Sequence, residues 1–169
     1  MLVTYDGLVE LVERGVAENA DPERINGASL DVTLGSVIWI EDEERGGIVD
    51  LARKGVPAMR RVEMDESGYL MAPGEFILAQ TREVFHLPDN IAFEYKLKSS
   101  MARAGLNHLL AGFADPGWHG SVLTLEYHNV SRYNHILIRP GMPAGQLVFL
   151  HGDRVPEHRS YRTVGQYNN

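Results

Sequence analysis

The chain has 169 residues, no cysteine and a formal charge of −7 at pH 7. This length is enough to bury one continuous core without metal ions or disulfides, and the lack of cysteine excludes disulfides, thiol nucleophiles and thiolate zinc sites. The net negative charge argues against binding a nucleic-acid polymer, because neutralising many phosphates requires a basic face. A local basic cluster could still hold a small anion.

The pattern along the chain predicts a single all-β domain over residues 1–169 that begins with one helix. Apolar residues recur at helical spacing in residues 5–14, with Thr4 or Asp6 as the candidate cap and Gly15 after the last turn. Short β-rich runs separated by Gly and Pro follow, a pattern typical of a sandwich, jelly roll or barrel. The runs are 29–34, 36–40, 69–71, 76–81, 91–97, 121–127, 135–138 and 146–150.

Apolar segments are short throughout the chain. None approaches the roughly 18 residues that a membrane span requires, and no basic leader precedes an apolar stretch at the N-terminus. We therefore expect a cytoplasmic protein without membrane contact. The acidic residues 41–47, which end in Gly-Gly, are expected to form a solvent-exposed loop.

A cluster of hydroxyl and basic side chains follows the predicted strand 91–97. Residues 99–105 are expected to form a turn or short helix, so that the hydroxyls of Ser99 and Ser100 could face phosphate oxygens together with nearby backbone N–H groups. Arg103, one helical turn later, could add a charge-assisted fork from the same side. Serine before a helical turn is also a common N-cap, and taken alone this structural interpretation is the stronger one.

Two carboxylates lie downstream of this cluster. Asp115 precedes Pro-Gly, a sequence typical of a turn where a strand reverses. In the strand that follows, Glu126 shares a face with Val122, Thr124 and His128, whereas Leu123, Leu125 and Tyr127 lie on the other face. Solvent exposure would explain this alternation. Alternatively, a carboxylate beside a pocket could act as a general base toward water.

The histidines and tryptophans carry weaker signals. The seven histidines lie at positions 86, 108, 119, 128, 135, 151 and 158 and do not have the spacing of a metal site such as His-Glu-x-x-His. We interpret them as scattered surface or core residues. Trp39 and Trp118 could each stack on a base, but a lone tryptophan in a β domain usually belongs to the core.

Seven strings along the chain form a longer pattern. They are Ile25–Gly35, Ala72–Ala79, Leu87–Pro88, Lys98–Leu106, Asp115–Trp118, Thr124–Glu126 and Arg139–Met142. In this order they resemble the dCTP deaminase family, and the resemblance covers nearly the whole chain. It implies the β fold shared with the trimeric dUTPases, a distorted jelly roll or β-barrel with one short N-terminal helix and a flexible C-terminal lid.

The resemblance implies zinc-independent hydrolytic deamination of dCTP, or of a close dC nucleotide analogue, to dUTP and ammonia. Glu126 would activate the water that attacks C4 of cytosine and would return a proton to the departing ammonia. Ser99 and Arg103 would position and polarise that water and bind the nucleotide. The lack of cysteine fits this family, because the zinc deaminases need a Pro-Cys-x-x-Cys motif.

The resemblance also implies a nucleotide-binding set, in which Asp115 faces the deoxyribose. The full set is Lys98, Ser99, Ser100, Met101, Ala102, Arg103, Ala111, Asp115, Trp118, Thr124, Leu125, Glu126, Tyr161 and Gln166. Mg²⁺ would be bound through the triphosphate without a protein ligand. The site would lie between the subunits of a homotrimer, and residues 161–167 resemble the lid that closes over the nucleotide.

Departures from the family pattern bear on the product. The segment 115–126 is one residue longer, and a β-bulge near Ser121 would compensate and keep Glu126 on its face. Residues 111–114 resemble bifunctional relatives that convert dCTP to dUMP. Gln166 stands in place of a lid lysine, so we expect the triphosphate to be held poorly and dUTP to be the main product. The alternatives are a bifunctional dCTP deaminase and dUTPase, a dUTPase, and a non-catalytic nucleotide-sensing or partner-binding relative.

Overall fold

The structure is a computed structural model that describes residues 1–166 as strands joined by short helices and turns. The α-helices are α1 (Tyr5–Glu13), α2 (Ser99–Arg103) and α3 (Tyr161–Val164). The strands are β1 (Ala17–Glu18), β2 (Leu30–Thr33), β3 (Val37–Glu41), β4 (Met59–Glu63), β5 (Tyr69–Met71), β6 (Phe76–His86), β7 (Ile91–Lys96), β8 (Leu106–His108), β9 (Phe113–Ala114), β10 (His119–Asn129), β11 (Ile136–Ile138) and β12 (Pro143–His151). No helix in this part of the chain has the length and apolarity needed to cross a membrane.

The strands form two larger sheets and one small pair. In the six-stranded sheet the order is β4-β3-β6-β10-β8, with β1 also paired to β6. The four-stranded sheet has the order β2-β12-β7-β9, and β11 pairs with β5. Apolar side chains of both larger sheets meet in one core that includes Ile77, Phe85, Phe93 and Phe149. The predicted all-β fold is confirmed, as an arrangement of open sheets.

The predicted N-terminal helix is confirmed as α1. It starts after Thr4, which occupies the N-cap position without a side-chain capping bond, and it ends just before Arg14 and Gly15. Its buried residues are Leu8 and Leu11, which the helical spacing places on one face. This amphipathic face packs the helix onto the common core.

All eight predicted runs form strands, and β6, β10 and β12 are longer than predicted. The sequence pattern missed β1, β4, β8 and β9. Two of these have only two residues, and β4, β8 and β9 lie at sheet edges. Edge strands need not be apolar, and β4 contains both Arg60 and Arg61. Glu41 ends β3, and residues 42–47 form the expected exposed loop, with one 3-10 turn at Glu43–Arg45.

The strand that carries Glu126, β10, has a bulge near its start. The pairing with β6 shifts register between His119 and Ser121, which leaves Gly120 as the extra residue, and it shifts again between Val122 and Thr124. Beyond the bulge Leu125 is fully buried, whereas Glu126 lies on the opposite, partly exposed face. The predicted bulge near Ser121 is confirmed, and Glu126 keeps the face that the sequence pattern predicts.

The C-terminal segment returns to the turn that precedes β10. The Ser160 hydroxyl donates to Oδ1 of Asp89 at 2.6 Å, and the N–H of Tyr161 donates to the carbonyl of Pro116 at 3.0 Å. Gly117 permits this approach, because its φ is +88° and a Cβ atom there would lie 2.0 Å from Oγ of Ser160. The segment is thereby held against the turn.

Candidate active site

Glu126 lies on the partly exposed face of β10, with 24% of its side chain exposed. Its carbonyl accepts a hydrogen bond from the N–H of Leu109 at 3.2 Å, which holds the loop after β8 beside it. The carboxylate atom Oε2 is buried and lies 3.2 Å from Nε2 of His108. Neither atom has a well-formed hydrogen bond within residues 1–166. One carboxylate oxygen therefore faces a buried histidine, although part of the side chain is exposed.

Two hydrogen-bonded tyrosines pack against His108, whose side chain is only 4% exposed. Its ring lies 4.3 Å from the ring of Tyr95, measured between centroids. The hydroxyls of Tyr95 and Tyr127 both donate to the carbonyl of Ala144 at 2.5 Å. Gly145 leaves room for this packing, since a Cβ atom there would lie 2.3 Å from the Tyr95 ring. Burial raises the pKa of both phenols, so both remain protonated donors at neutral pH.

The predicted phosphate-side cluster forms α2 and carries exposed donors. Ser99, Ser100 and Arg103 are all exposed. Lys98 occupies the N-cap position and no side chain caps the helix, so the serines do not have the capping role of the structural interpretation. Within residues 1–166 the three side chains form no hydrogen bond or ion pair with one another or with Glu126. They are therefore free to contact a ligand.

Lys98 differs from its neighbours because its charge is already paired. Its ammonium group contacts a carboxylate oxygen of Asp31 on β2, and the two side chains are 30% and 14% exposed. Asn26 donates to the other carboxylate oxygen of Asp31 at 2.8 Å. This network ties the start of α2 to the four-stranded sheet. It also leaves Lys98 with less free positive charge than the sequence suggests.

The remaining predicted binding residues divide by orientation. Trp118 is a core residue, whose ring stacks on Phe85 with centroids 5.7 Å apart. It has no free face for a base, so the predicted side-chain contact is not supported by the packing. The Leu125 side chain also points into the core, which leaves only its main chain for a ligand. The exposed residues are Ala102, Ala111, Asp115 and Thr124, and Met101 is half-buried against the core.

Most of the predicted lid is described by the structure. Tyr161 begins α3 and is half-buried against the core, and Gln166 is exposed. Tyr167 lies outside the described residues. The contact between Tyr161 and Pro116 places the segment beside the turn that contains Asp115, whose carbonyl accepts the N–H of Trp118 at 3.2 Å. The predicted turn at Asp115 is confirmed.

The described residues contain no group of three or more His, Asp or Glu side chains arranged to hold a metal ion. His86 does face His119, with 3.3 Å between ring nitrogens, and its other nitrogen lies 3.1 Å from Glu18. Burial, followed by the charge of His86, lowers the pKa of His119. Both histidines lie on paired positions of β6 and β10, and Glu18 lies on the adjacent β1.

His108 and Asp31 are the site residues that the sequence analysis missed. His108 follows Leu106 by two residues in β8, and both side chains are buried on one face. This two-residue alternation could have revealed His108, but it spans only the three residues of β8. Asp31 lies within one of the strings that carry the family resemblance, yet its partner Lys98 is 67 residues away. Only the fold brings them together.

A model of the dCTP deaminase-like family matches residues 4–152. The chain belongs to this family. It is 38% identical over 161 residues to a protein of a Nocardioides species named "dCTP deaminase, dUMP-forming", with 94% of this chain and 83% of the relative covered. It is 34% identical over 164 residues to a Methanosphaerula palustris protein of the same name, with 95% and 86% covered. The family resemblance in the sequence is thereby confirmed.

A solved structure supports the same fold. The crystal structure of 2'-deoxycytidine 5'-triphosphate deaminase from Agrobacterium tumefaciens matches with a TM-score of 0.71 at 20% identity, over 89% of this chain. The chain spans about half the length of that protein, of which 49% is covered. At this identity the likeness bears on the fold, and it confirms the dUTPase-like β architecture expected from the sequence.

Proposed function

We propose that this protein of the dCTP deaminase-like family removes the 4-amino group of dCTP by hydrolysis and releases dUMP. The observation that carries the proposal is the placement of the Glu126 carboxylate. One of its oxygens is buried 3.2 Å from Nε2 of His108, while 24% of the side chain remains exposed. The relatives with names ending in dUMP-forming support this choice of substrate and product. They favour dUMP over the dUTP that the sequence analysis expects.

The deamination step follows from what a carboxylate can do beside a bound cytosine. Glu126 accepts a proton from water as the water oxygen bonds to C4. It then returns that proton to the amino nitrogen, so that the C4–N bond breaks and ammonia leaves. The exposed hydroxyl of Ser99 and the guanidinium of Arg103 supply donors for the attacking water and for the nucleotide. This step requires no metal ion and no cysteine.

The second step would turn the same bound nucleotide into dUMP. Water attacks the α-phosphorus, the bond to the β-phosphate breaks, and pyrophosphate leaves. Asp115 is exposed at the turn before β10 and is the carboxylate that we assign to direct this water. Phosphoryl transfer depends mainly on positioning and charge stabilisation, so Mg²⁺ bound through the phosphates is part of the proposal. The segment from Tyr161 to Gln166 is the candidate lid.

We further propose that the site is completed by a second copy of the chain within a homotrimer. Within residues 1–166 the donors of α2 form no hydrogen bond or ion pair with Glu126. The loop beside Glu126 also exposes apolar side chains, with Leu109 47%, Leu110 94% and Phe113 59% exposed. Exposed apolar surface of this kind favours association. A neighbouring chain would cover this loop and bring its own donors to the carboxylate.

The test is to incubate the purified protein with dCTP and Mg²⁺ and to measure ammonia, nucleotide products and pyrophosphate together. The proposal expects dUMP, ammonia and pyrophosphate in equal amounts. Accumulation of dUTP with ammonia would indicate a deaminase alone. Hydrolysis of added dUTP with unchanged dCTP would indicate a dUTPase, and binding without any product would indicate a nucleotide-sensing protein.

A further inference from the structure

The contact between His108 and Glu126 joins two buried atoms that have no other partner. Nε2 of His108 and Oε2 of Glu126 are both buried and lie 3.2 Å apart, and each lacks a well-formed hydrogen bond within residues 1–166. A buried polar atom without a partner is costly, so a donor and an acceptor at this distance are expected to pair. The neutral imidazole can do this when its proton is on Nε2.

The surroundings of His108 fix the ring and leave Glu126 as the adjustable member. The titratable groups that face His108 are the Tyr95 phenol, the Tyr127 phenol and the Glu126 carboxylate. Both phenols are tied to the carbonyl of Ala144, so neither competes for Nε2. The main chain of Glu126 is already held by Leu109. The carboxylate of Glu126 is therefore the group that can still rotate.

We propose that His108 is a positioning residue that holds the carboxylate of Glu126 in its catalytic orientation. The N–H at Nε2 donates to Oε2, and this bond directs Oε1 toward the open face, where it accepts the proton of the attacking water. The proposal rests on the proposed function, because it assigns His108 a role in the same deamination step. Without the bond the carboxylate rotates, and the reacting oxygen spends less time at the water.

Four substitutions separate positioning from packing. His108→Phe keeps a ring against Tyr95 but removes the donor, and His108→Gln places an amide N–H close to the position of Nε2. His108→Asn is the matched control for Gln, because its shorter side chain places the amide near Nδ1 instead. His158→Gln, at an exposed histidine, controls for loss of a histidine elsewhere. For each variant kcat and KM for dCTP and the melting temperature are measured.

The expected result is that Phe and Asn lower kcat about tenfold or more, since a misplacement of about 1 Å can cost up to about a hundredfold. KM should stay within about twofold, and Gln should restore most of kcat. In a Glu126→Gln background, His108→Phe should have no further effect on the residual rate, because His108 acts only through the carboxylate.

Three results would overturn the inference. Wild-type kcat in His108→Phe would do so, as would equal losses in Gln and Asn, or losses that follow the melting temperature. If Phe prevents folding, the comparison of Gln with Asn decides alone. Failure of the proposed function is distinguishable, because then the wild-type protein itself releases no ammonia from dCTP, and both proposals fall together.

Discussion

Replacing Glu126 by Gln removes the proposed base and changes little else. The two side chains have the same shape, and only 24% of this one is exposed, so the fold around it should be retained. The orientation of the amide follows from the structure. Its oxygen should turn toward Nε2 of His108, which leaves the NH₂ group on the open side. The variant thus presents a donor where the attacking water needs an acceptor. General-base catalysis typically contributes about 10²- to 10⁴-fold, and we expect the variant to lose deamination by at least about a hundredfold.

The assay compares ammonia release from dCTP with binding of dCTP by calorimetry. Binding should survive, because the phosphate-side donors of α2 are untouched, and the melting temperature should shift only slightly. Glu13→Gln, at an exposed carboxylate at the end of α1, is the matched control and should behave as wild type. Near-normal ammonia release by the Glu126 variant would refute the assignment of the base. Loss of both binding and thermal stability would show that the residue is structural.

The remaining predictions concern the reaction and the C-terminal segment. Activity should require Mg²⁺ but survive a zinc-selective chelator, and light scattering should give about three times the chain mass of 18.9 kDa; a fully active monomer would contradict the intersubunit site. In a single-turnover reaction dUMP should appear as fast as dCTP disappears, whereas a dUTP transient would show that the second step is separate. Gly117→Ala should release the segment from the turn and increase tryptic cleavage after Arg162, while Gly152→Ala, which meets no neighbour within 4 Å, should not. The hydrogen bond from Ser160, followed by the contact with Arg154, lowers the pKa of Asp89. Its stabilisation should therefore be present at neutral pH and disappear as pH falls below about 3.9, a loss that unfolding curves of Asp89→Asn should lack.

The fold could be predicted because its strands follow simple periods. β10 alternates buried and outward side chains beyond its bulge, and α1 shows its apolar face in the sequence. The pattern failed for β4 and β9, which lie at sheet edges. In β4 the charged residues Arg60, Arg61 and Glu63 are exposed to solvent, and β9 has only two residues, too few to establish a period. The one-residue excess before Glu126 predicted a bulge near Ser121, and the pairing of β10 with β6 has one at Gly120.

The site could be predicted only in part, for a different reason. Glu126 and the donors of α2 could be predicted because each lies within one of the short strings that carry the family resemblance. The contacts that modify them are long-range. Asp31 reaches Lys98 across 67 residues, and Tyr95 supports His108 from another sheet. For Trp118 the sequence allowed both a base contact and a core position, and the structure shows the core position, with the ring stacked on Phe85.

The charge balance around α2 supports both a metal ion and a second chain. Lys98 is the first cation of the segment, but its charge is opposed by Asp31. Arg103 has no acidic partner within residues 1–166, so it contributes one uncompensated positive charge. A triphosphate carries several negative charges, and the protein as a whole is at −7. One guanidinium cannot balance such a ligand, because confining like charges in a partly desolvated site is unfavourable. Mg²⁺ on the phosphates and cationic side chains from a neighbouring copy would supply the missing charge. We therefore expect activity to be lost when Mg²⁺ is removed and when the chain is monomeric.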